Sequence, residues 1–325
     1  CSLLFGLAVA PALGASADEL VRIGQFCYHQ EYDSAFAAVR SGPALDTGDP
    51  AGYYWQASII QVMTSDSGDM RLADSFHVLA NAAITRACRR LRQNPHDGLA
   101  NFYLGMTQLN RSSMLAWQHR VVPAILTLFG VGPHLRAALA DDPSLTDARL
   151  GIGIIEYFKA SAGRYAPGLG MFGSKEKGYR LVSAVADGDG MLGPAAQFLR
   201  AYLLKEDGDY RATIRECRKL LDRYPGNRTA LRMLRDAQYR AGMFSDAVKT
   251  GRQVEQEMLQ AYPGNRYALA ENWMVCGMAF AGLGQADSAR DRFDRVIAWE
   301  PYERDVPWLA VYVRQARRWL VRLRN

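Results

Sequence analysis

Tyr224-Pro225-Gly226-Asn227-Arg228 returns unchanged, 38 residues later, as Tyr262-Pro263-Gly264-Asn265-Arg266. After another 38 residues Pro301 follows Glu300 at the corresponding place. Punctuation that recurs at a fixed period marks one supersecondary unit being stacked. The period predicts an all-α solenoid of helical hairpins. Stacked hairpins hold many kinds of partner, so the period sets the architecture without naming the task.

The clearest copy of the unit runs from Ala270 to Pro301 and carries Trp273, Gly277, Phe280, Gly284, Ala289, Phe293, Val296 and Pro301. Trp273, Gly277 and Phe280 are four and three residues apart, so they share one helix face. Gly277 leaves room for a neighbouring helix, and Gly284-Gln285 falls where two antiparallel helices must turn. Ala289 permits a close crossing, and Pro301 ends the unit because it cannot continue a helix. Two weaker copies precede it. One holds Ala201, Gly208, Tyr210, Thr213, Cys217, Leu220 and Pro225. The other holds Leu231, Gly242, Phe244, Ala247 and Val254, with Arg235 where a small residue is expected.

The spacing W-x3-G-x2-F, G-x4-A, F-x2-V-x4-P resembles the tetratricopeptide repeat. Fragments of the pattern extend towards the N-terminus. Tyr32-Asp33-Ser34-Ala35 opens a second helix, Leu104-Gly105 and Leu150-Gly151 mark the centres of first helices, and Asn94-Pro95 and Asp142-Pro143 end units. The organisation read from the chain is 1–17, remnant of a secretory signal; 18–145, irregular hairpins; 146–192, a helical unit with a glycine-rich insertion; 193–301, three repeat units; and 302–325, a capping helix. A second resemblance rests on Asp147-Ala148-Arg149-Leu150-Gly151-Ile152-Gly153 and Gly173-Ser174-Lys175-Glu176-Lys177-Gly178. These are similar to the "DAYLGLGLYHY…GDREKG" form of exported bacterial tetratricopeptide proteins, a group distantly similar to eukaryotic repeat proteins of the mitochondrial outer membrane. That resemblance implies a scaffold and supplies no catalytic residues. Ser174 replaces the usual acidic residue and is expected to cap a helix beginning at Lys175.

Ser2 to Ala17 carry no charge and include Leu3-Leu4-Phe5-Gly6-Leu7-Ala8-Val9 before Ala15-Ser16-Ala17, a small-x-small cleavage pattern. The expectation is an exported protein of the bacterial periplasm or cell envelope, with a basic segment lost upstream of Cys1. The apolar run is short of the roughly 20 residues a span needs, and no later stretch reads as a span. Overall the chain has 49% hydrophobic residues, a net charge of +6 and a mean hydropathy of −0.17, ordinary values for a water-exposed solenoid. Export argues against nucleic acid as a partner. Cys27, Cys88, Cys217 and Cys276 match no zinc or CxxC spacing and read as small apolar groups rather than a disulfide framework.

No catalytic, metal or cofactor motif emerges. The histidines His29, His77, His96, His119 and His134 form no HExxH or i, i+4 pair. No Gly-x-Ser-x-Gly elbow occurs. Gly168-x-Gly170-x-x-Gly173 follows a helical segment instead of a strand, which removes the dinucleotide reading. The pair Asp141-Asp142 reads as a solvated turn, so a cell-wall hydrolase stays a minor alternative.

The tetratricopeptide resemblance implies a concave groove lined by first helices. Carried over, it names Phe198, Tyr202, Lys205, Arg232, Asp236, Tyr239, Met274 and Met278 as a partner-binding surface for a protein or peptide. Aromatics and arginine anchor such segments, and methionine adapts to them. An alternative is an apolar pocket for lipid or a small apolar ligand. It would lie between two interruptions of the repeat, 121–132 and 161–173, with Ile125, Leu128, Phe129, Tyr165, Leu169, Met171 and Phe172 as its lining. At the C-terminus Trp308, Tyr312, Trp319 and Leu323 alternate with Arg314, Arg317, Arg318, Arg322 and Arg324. This amphipathic basic helix is expected to cap the last repeat, with an anionic membrane surface as the second role for 308–324.

Overall fold

The computed structural model describes residues 17–41, 48–161, 173–188, 192–304, 306 and 309–324. The described residues form fifteen α-helices and no strand. Two compact units separate, one of residues 1–65 with 70–200, the other of 66–69 with 201–325.

In the first unit the helices are α1 (Ala17–Tyr28), α2 (Tyr32–Ser41), α3 (Ala51–Ser67), α4 (Ala73–Gln93), α5 (Gly98–Trp117), α6 (Val121–Asp141), α7 (Ala148–Ser161), α8 (Lys175–Ala186) and the first half of α9 (Gly193–Glu206), whose residues from Ala201 on belong to the second unit. From α4 to α8 each helix packs on the next. Asp97 caps α5 by accepting from the Ala100 amide at 2.9 Å, and Ser174 caps α8 from the Lys177 amide at 3.1 Å, the latter as the sequence predicts. Leu135 of α6 is wedged between two glycines. A Cβ on Gly105 of α5 would stand 2.6 Å from its side chain, and one on Gly151 of α7 would stand 2.4 Å from it. Helices α7 and α8 meet backbone to backbone. There a Cβ on Gly178 would meet the Gly153 carbonyl oxygen at 2.6 Å and the Tyr157 backbone nitrogen at 2.7 Å.

The segment 121–132 corrects the sequence reading. It is no interruption: it is the first half of α6, a continuous helix with Pro133 inside it. Gly130, Gly132 and Pro133 look like breakers, but Ala124, Leu128, Val131 and Leu135 bury a regular stripe that holds the helix through them. The same helix is, by length and composition, long and apolar enough to cross a membrane, which the sequence reading did not credit to any later stretch. The companion interruption falls mainly on 162–172, outside the described residues, as do Tyr165, Leu169, Met171 and Phe172. The signal-like residues 1–16 and Trp308 lie outside them too.

The second unit contains α10 (Tyr210–Arg223), α11 (Arg228–Arg240), α12 (Phe244–Ala261), α13 (Arg266–Gly282), α14 (Ala286–Ile297) and α15 (Leu309–Arg322), each packed on its successor. The repeated pentapeptide is a helix-to-helix connector. Tyr224 and Tyr262 close α10 and α12, and the asparagines cap the next helices by accepting from the Ala230 and Ala268 amides at 2.9 and 3.0 Å. The opposite turns use Gly208, Gly242 and Gly284 at φ +84°, +76° and +72°, backbone that a side chain would strain. Gly277 lets Phe293 reach α13: a Cβ there would lie 2.6 Å from the ring. Trp319 of α15 stacks on Phe293 at 5.9 Å, and Leu309, Val313 and Ala316 are buried, so α15 covers α13 and α14 as a cap. Its arginines point outward, Arg317 towards Glu300.

The Gly153–Gly178 crossing has backbone on both sides and cannot yield to a methyl group. Gly178→Ala is expected to lower the unfolding free energy of the full chain by about 2–3 kcal/mol. Gly130→Ala, whose Cβ would enter open space on α6, should be neutral or stabilising by up to about 1 kcal/mol. Urea unfolding followed by circular dichroism measures both.

Candidate functional site

Arg228, Arg232 and Arg235 lie four and three residues apart on α11, so they project along one side of it. Their exposures are 9%, 6% and 0%. A guanidinium cannot lose its charge on burial, so each needs acceptors. Arg228 donates from Nε to both carboxylate oxygens of Asp66, at 3.0 and 3.1 Å, and the Tyr262 hydroxyl donates to the same carboxylate at 3.0 Å. Arg232 donates from Nη1 to the Asp66 carbonyl at 3.0 Å and from Nε to Glu271 at 2.8 Å. Arg235 donates to Asp236 at 3.0 Å and to the Asn272 side-chain oxygen at 2.8 Å.

Around these pairs sits a second ring of partners. Asn272 donates its amide to the Gly251 carbonyl at 2.9 Å. Gly251 has no side chain because a Cβ there would collide with the Cys276 sulfur at 2.2 Å. This explains how Arg235 occupies a position the repeat gives to a small residue: the polar groups of α13 and the bare backbone of α12 accommodate it. Tyr267 and Tyr312 face each other at 5.5 Å between ring centres, with a hydroxyl–hydroxyl distance of 3.2 Å. Burial by itself would raise the Glu271 pKa, but Arg232 and then Arg235 outweigh it and hold the carboxyl well below its usual range. Burial, reinforced by Asp66, pushes the Tyr262 hydroxyl up, and burial with Glu271 does the same to Tyr267.

Residues 66–69, part of the same unit, are held much as a short peptide would be. The Asp66 carboxylate and carbonyl are taken by Arg228 and Arg232, Asn265 donates its side-chain amide to the Ser67 carbonyl, and Gly68 sits beside the Tyr267 ring. Gly68 has φ +70°, and any Cβ there would be 2.4 Å from that ring.

The eight groove residues named from the sequence divide in two. Phe198, Tyr202, Arg232 and Met274 are buried, at 5%, 1%, 6% and 1% exposure, and offer no surface to a partner. Phe198 belongs to the first unit, stacked on Tyr28. Their burial has one physical reason: inward-facing positions in a solenoid contact the next helix before they contact solvent. Lys205, Asp236, Tyr239 and Met278 keep partial exposure, and all four sit in the C-terminal halves of α9, α11 and α13. Lys205 lies over the Tyr202 ring at 5.3 Å. Lys205 and Asp236 both act on the Cys217 thiol, which burial pushes up to about 12.

Of the apolar-pocket set, Leu128 is buried in the α5–α6 packing, while Ile125 and Phe129 are half-buried on α6. Among the described residues the four cysteines are free thiols, and no group of three His, Cys, Asp or Glu side chains could hold a metal ion. Asp141 bonds His96 at 3.0 Å and Asp142 accepts from the Ser144 amide at 2.9 Å, so this acidic pair closes a turn. The sequence reading missed Arg228, Tyr267, Glu271, Asn265 and the 66–69 segment. Arg228 and Asn265 stand inside the repeated pentapeptide, where they read as punctuation.

No protein-family model matches the chain, and no curated protein does. Several solved structures are similar to this chain. PilW, described as a widely conserved type IV pilus biogenesis factor, is 16% identical over 72% of this chain and 92% of its own, with a TM-score of 0.49. YrrB, a tetratricopeptide protein described as having an unusual peptide-binding site, is 13% identical over 70% of this chain and 97% of its own, at 0.41. A tetratricopeptide repeat protein from Parabacteroides merdae is 13% identical over 92% of this chain and 97% of its own, at 0.42.

Glu271 carries a sign-definite pH prediction. Its folded-state pKa lies below its unfolded value of 4.5, falling to about 2. Its contribution is therefore present above pH 4.5 and lost as pH drops towards 2, where the unfolded state binds the extra proton. Glu271→Ala should cost about 3–5 kcal/mol at pH 7, because the buried Arg232 guanidinium loses its carboxylate partner, while Arg235 keeps Asp236. The gap to wild type should close across that acidic window in urea titrations at stepped pH.

Proposed function

We propose that this chain is an exported, non-catalytic scaffold of tetratricopeptide type that binds a protein or peptide segment on the α9–α11–α13 face of its second unit. One observation carries the reading. The N-terminal half of that face already grips residues 66–69 by two main-chain carbonyls and a carboxylate. Side chains of arginine and asparagine aimed at backbone oxygens recognise a chain as a chain, independent of most of its side chains. Beyond this held segment the face continues into the half-exposed Lys205, Asp236, Tyr239 and Met278. These supply a cation, an anion, an aromatic ring and a thioether, the mixture that anchors a docked segment. The acidic groups there, Glu271, Asp236 and Asp66, are committed to arginines. The export half of the proposal is supported by the uncharged stretch ending in Ala15-Ser16-Ala17. The alternative, an apolar pocket for lipid or a small ligand, has one side on helix α6 and the other mainly outside the described residues.

Selection of a random peptide library on the immobilised full chain tests the assignment. The wild type should enrich a consensus, and Tyr239→Ala with Met278→Ala should weaken binding of that consensus by at least about tenfold, as expected for anchor truncation. Both positions are half-exposed, so the fold should persist. Failure to enrich any sequence, or equal binding by the double variant, would remove the face from consideration.

A further inference from the structure

Helix α6 is apolar on every side. Between Arg120 and Arg136 it has no aspartate, glutamate, lysine or arginine. Its inner stripe, Ala124, Leu128, Val131 and Leu135, is buried in the first unit. Its outer stripe is equally apolar: Val122 and Leu126 are 67% and 68% exposed, Val121 is 41% exposed, and Ile125 and Phe129 are half-buried beside them. A surface helix normally turns polar residues outward, and a helix apolar all round belongs inside a core or against lipid. Only a third of the apolar window of α6 is buried within the chain, so the core explanation does not fit.

Among the described residues, three cations border the stripe. Arg120 is exposed at the N-cap and Arg136 is exposed further along the helix. A cation at a helix N-terminus opposes the helix dipole, so Arg120 is not there to stabilise α6. Lys159 of α7 places its Nζ 4.7 Å from the centre of the Phe129 ring. Burial and then the nearby Arg136 both work against the Lys159 proton, so the two cations sit close together. The single acid on α6, Asp141, turns to His96. Glu156, near Lys159, is bonded to Lys177.

We propose that this face of α6 is a docking surface for an anionic bilayer, with Val122, Leu126 and Phe129 entering the acyl boundary and Arg120, Arg136 and Lys159 meeting lipid phosphates. An uncharged stripe of about 20 Å with cations at its ends and flank is the layout of a helix lying in the interface plane. A second copy of this chain is a poor occupant. A two-fold contact would set the same patch against itself and bring the three cations together with no acid on the stripe to separate them. Attachment through α6 is independent of the peptide-binding face, so either proposal can fail alone.

Flotation of the full chain with phosphatidylcholine vesicles, with and without phosphatidylglycerol, decides it. The wild type should float only with the anionic vesicles and release at high salt. Arg136→Ala should lower partitioning about fivefold at low salt, and Leu126→Asp by more than about tenfold. Both positions face solvent, and unchanged helical circular dichroism confirms the fold. No flotation of the wild type overturns the proposal. Variants that float like wild type overturn it too, placing any attachment elsewhere, such as 1–17 or 308–324. A dimer that Leu126→Asp dissolves, without vesicle binding, would give the stripe to a second copy instead.

Discussion

Three guanidinium groups on one side of α11 have to be neutralised out of solvent, and much of the second unit is arranged to do it. A charge left alone at such depth would cost several kcal/mol, and arginine cannot escape by deprotonating. The need dictates the neighbours. Glu271 and Asn272 must stand on the facing side of α13, Asp236 must follow Arg235, and Gly251, kept bare by the Cys276 sulfur, lends its carbonyl to the Asn272 amide. Asp66 and Tyr262 complete the set at Arg228. Each of these partners is itself fixed by its arginine, so the network works as a unit whose single deletions are expected to be non-additive. Hydrophobic packing builds the hairpins. The arginine network fixes which polar groups line the face between them.

The same residues connect the repeat to the binding chemistry. Asn265 caps α13 with its side-chain oxygen, accepting from the Ala268 amide, while its side-chain nitrogen donates to the Ser67 carbonyl. Arg228 opens α11 and holds Asp66. A pentapeptide that ends one helix and starts the next thus also presents donors at the start of each inner helix. A face made this way meets the held segment through its main chain first. The apolar stripe of α6 is a different kind of surface, non-directional and bordered by cations, and it calls for a partner with an oily interior and a negative rim.

Much of the fold was legible because it depends on local rules. Gly277 admitting Phe293, Ala289 in its crossing, Ser174 as a cap and the C-terminal helix over the last hairpin all follow from residue type at a fixed spacing. What failed depends on tertiary context. Inward spacing put Tyr202, Arg232 and Met274 on the groove side of their helices, but spacing cannot say whether another segment covers that side. The partner of Arg228 stands 162 residues earlier in the chain, beyond any periodic argument. In α6 the local evidence pointed the wrong way. Glycine and proline suggested an interruption, and the buried stripe from Ala124 to Leu135 overrode them, as tertiary packing often overrides propensity.

The most direct test of the peptide-binding face uses methionine methyl groups as reporters. Met278 is half-exposed on α13, whereas Met106 and Met114 are buried in the first unit at 1% and 0%. Carbon-13 methyl spectra of the full chain, titrated with a peptide it selects, should show the Met278 resonance moving while Met106 and Met114 stay in place. Movement of Met106 or Met114 with Met278 unchanged would put the binding site in the first unit and contradict the account.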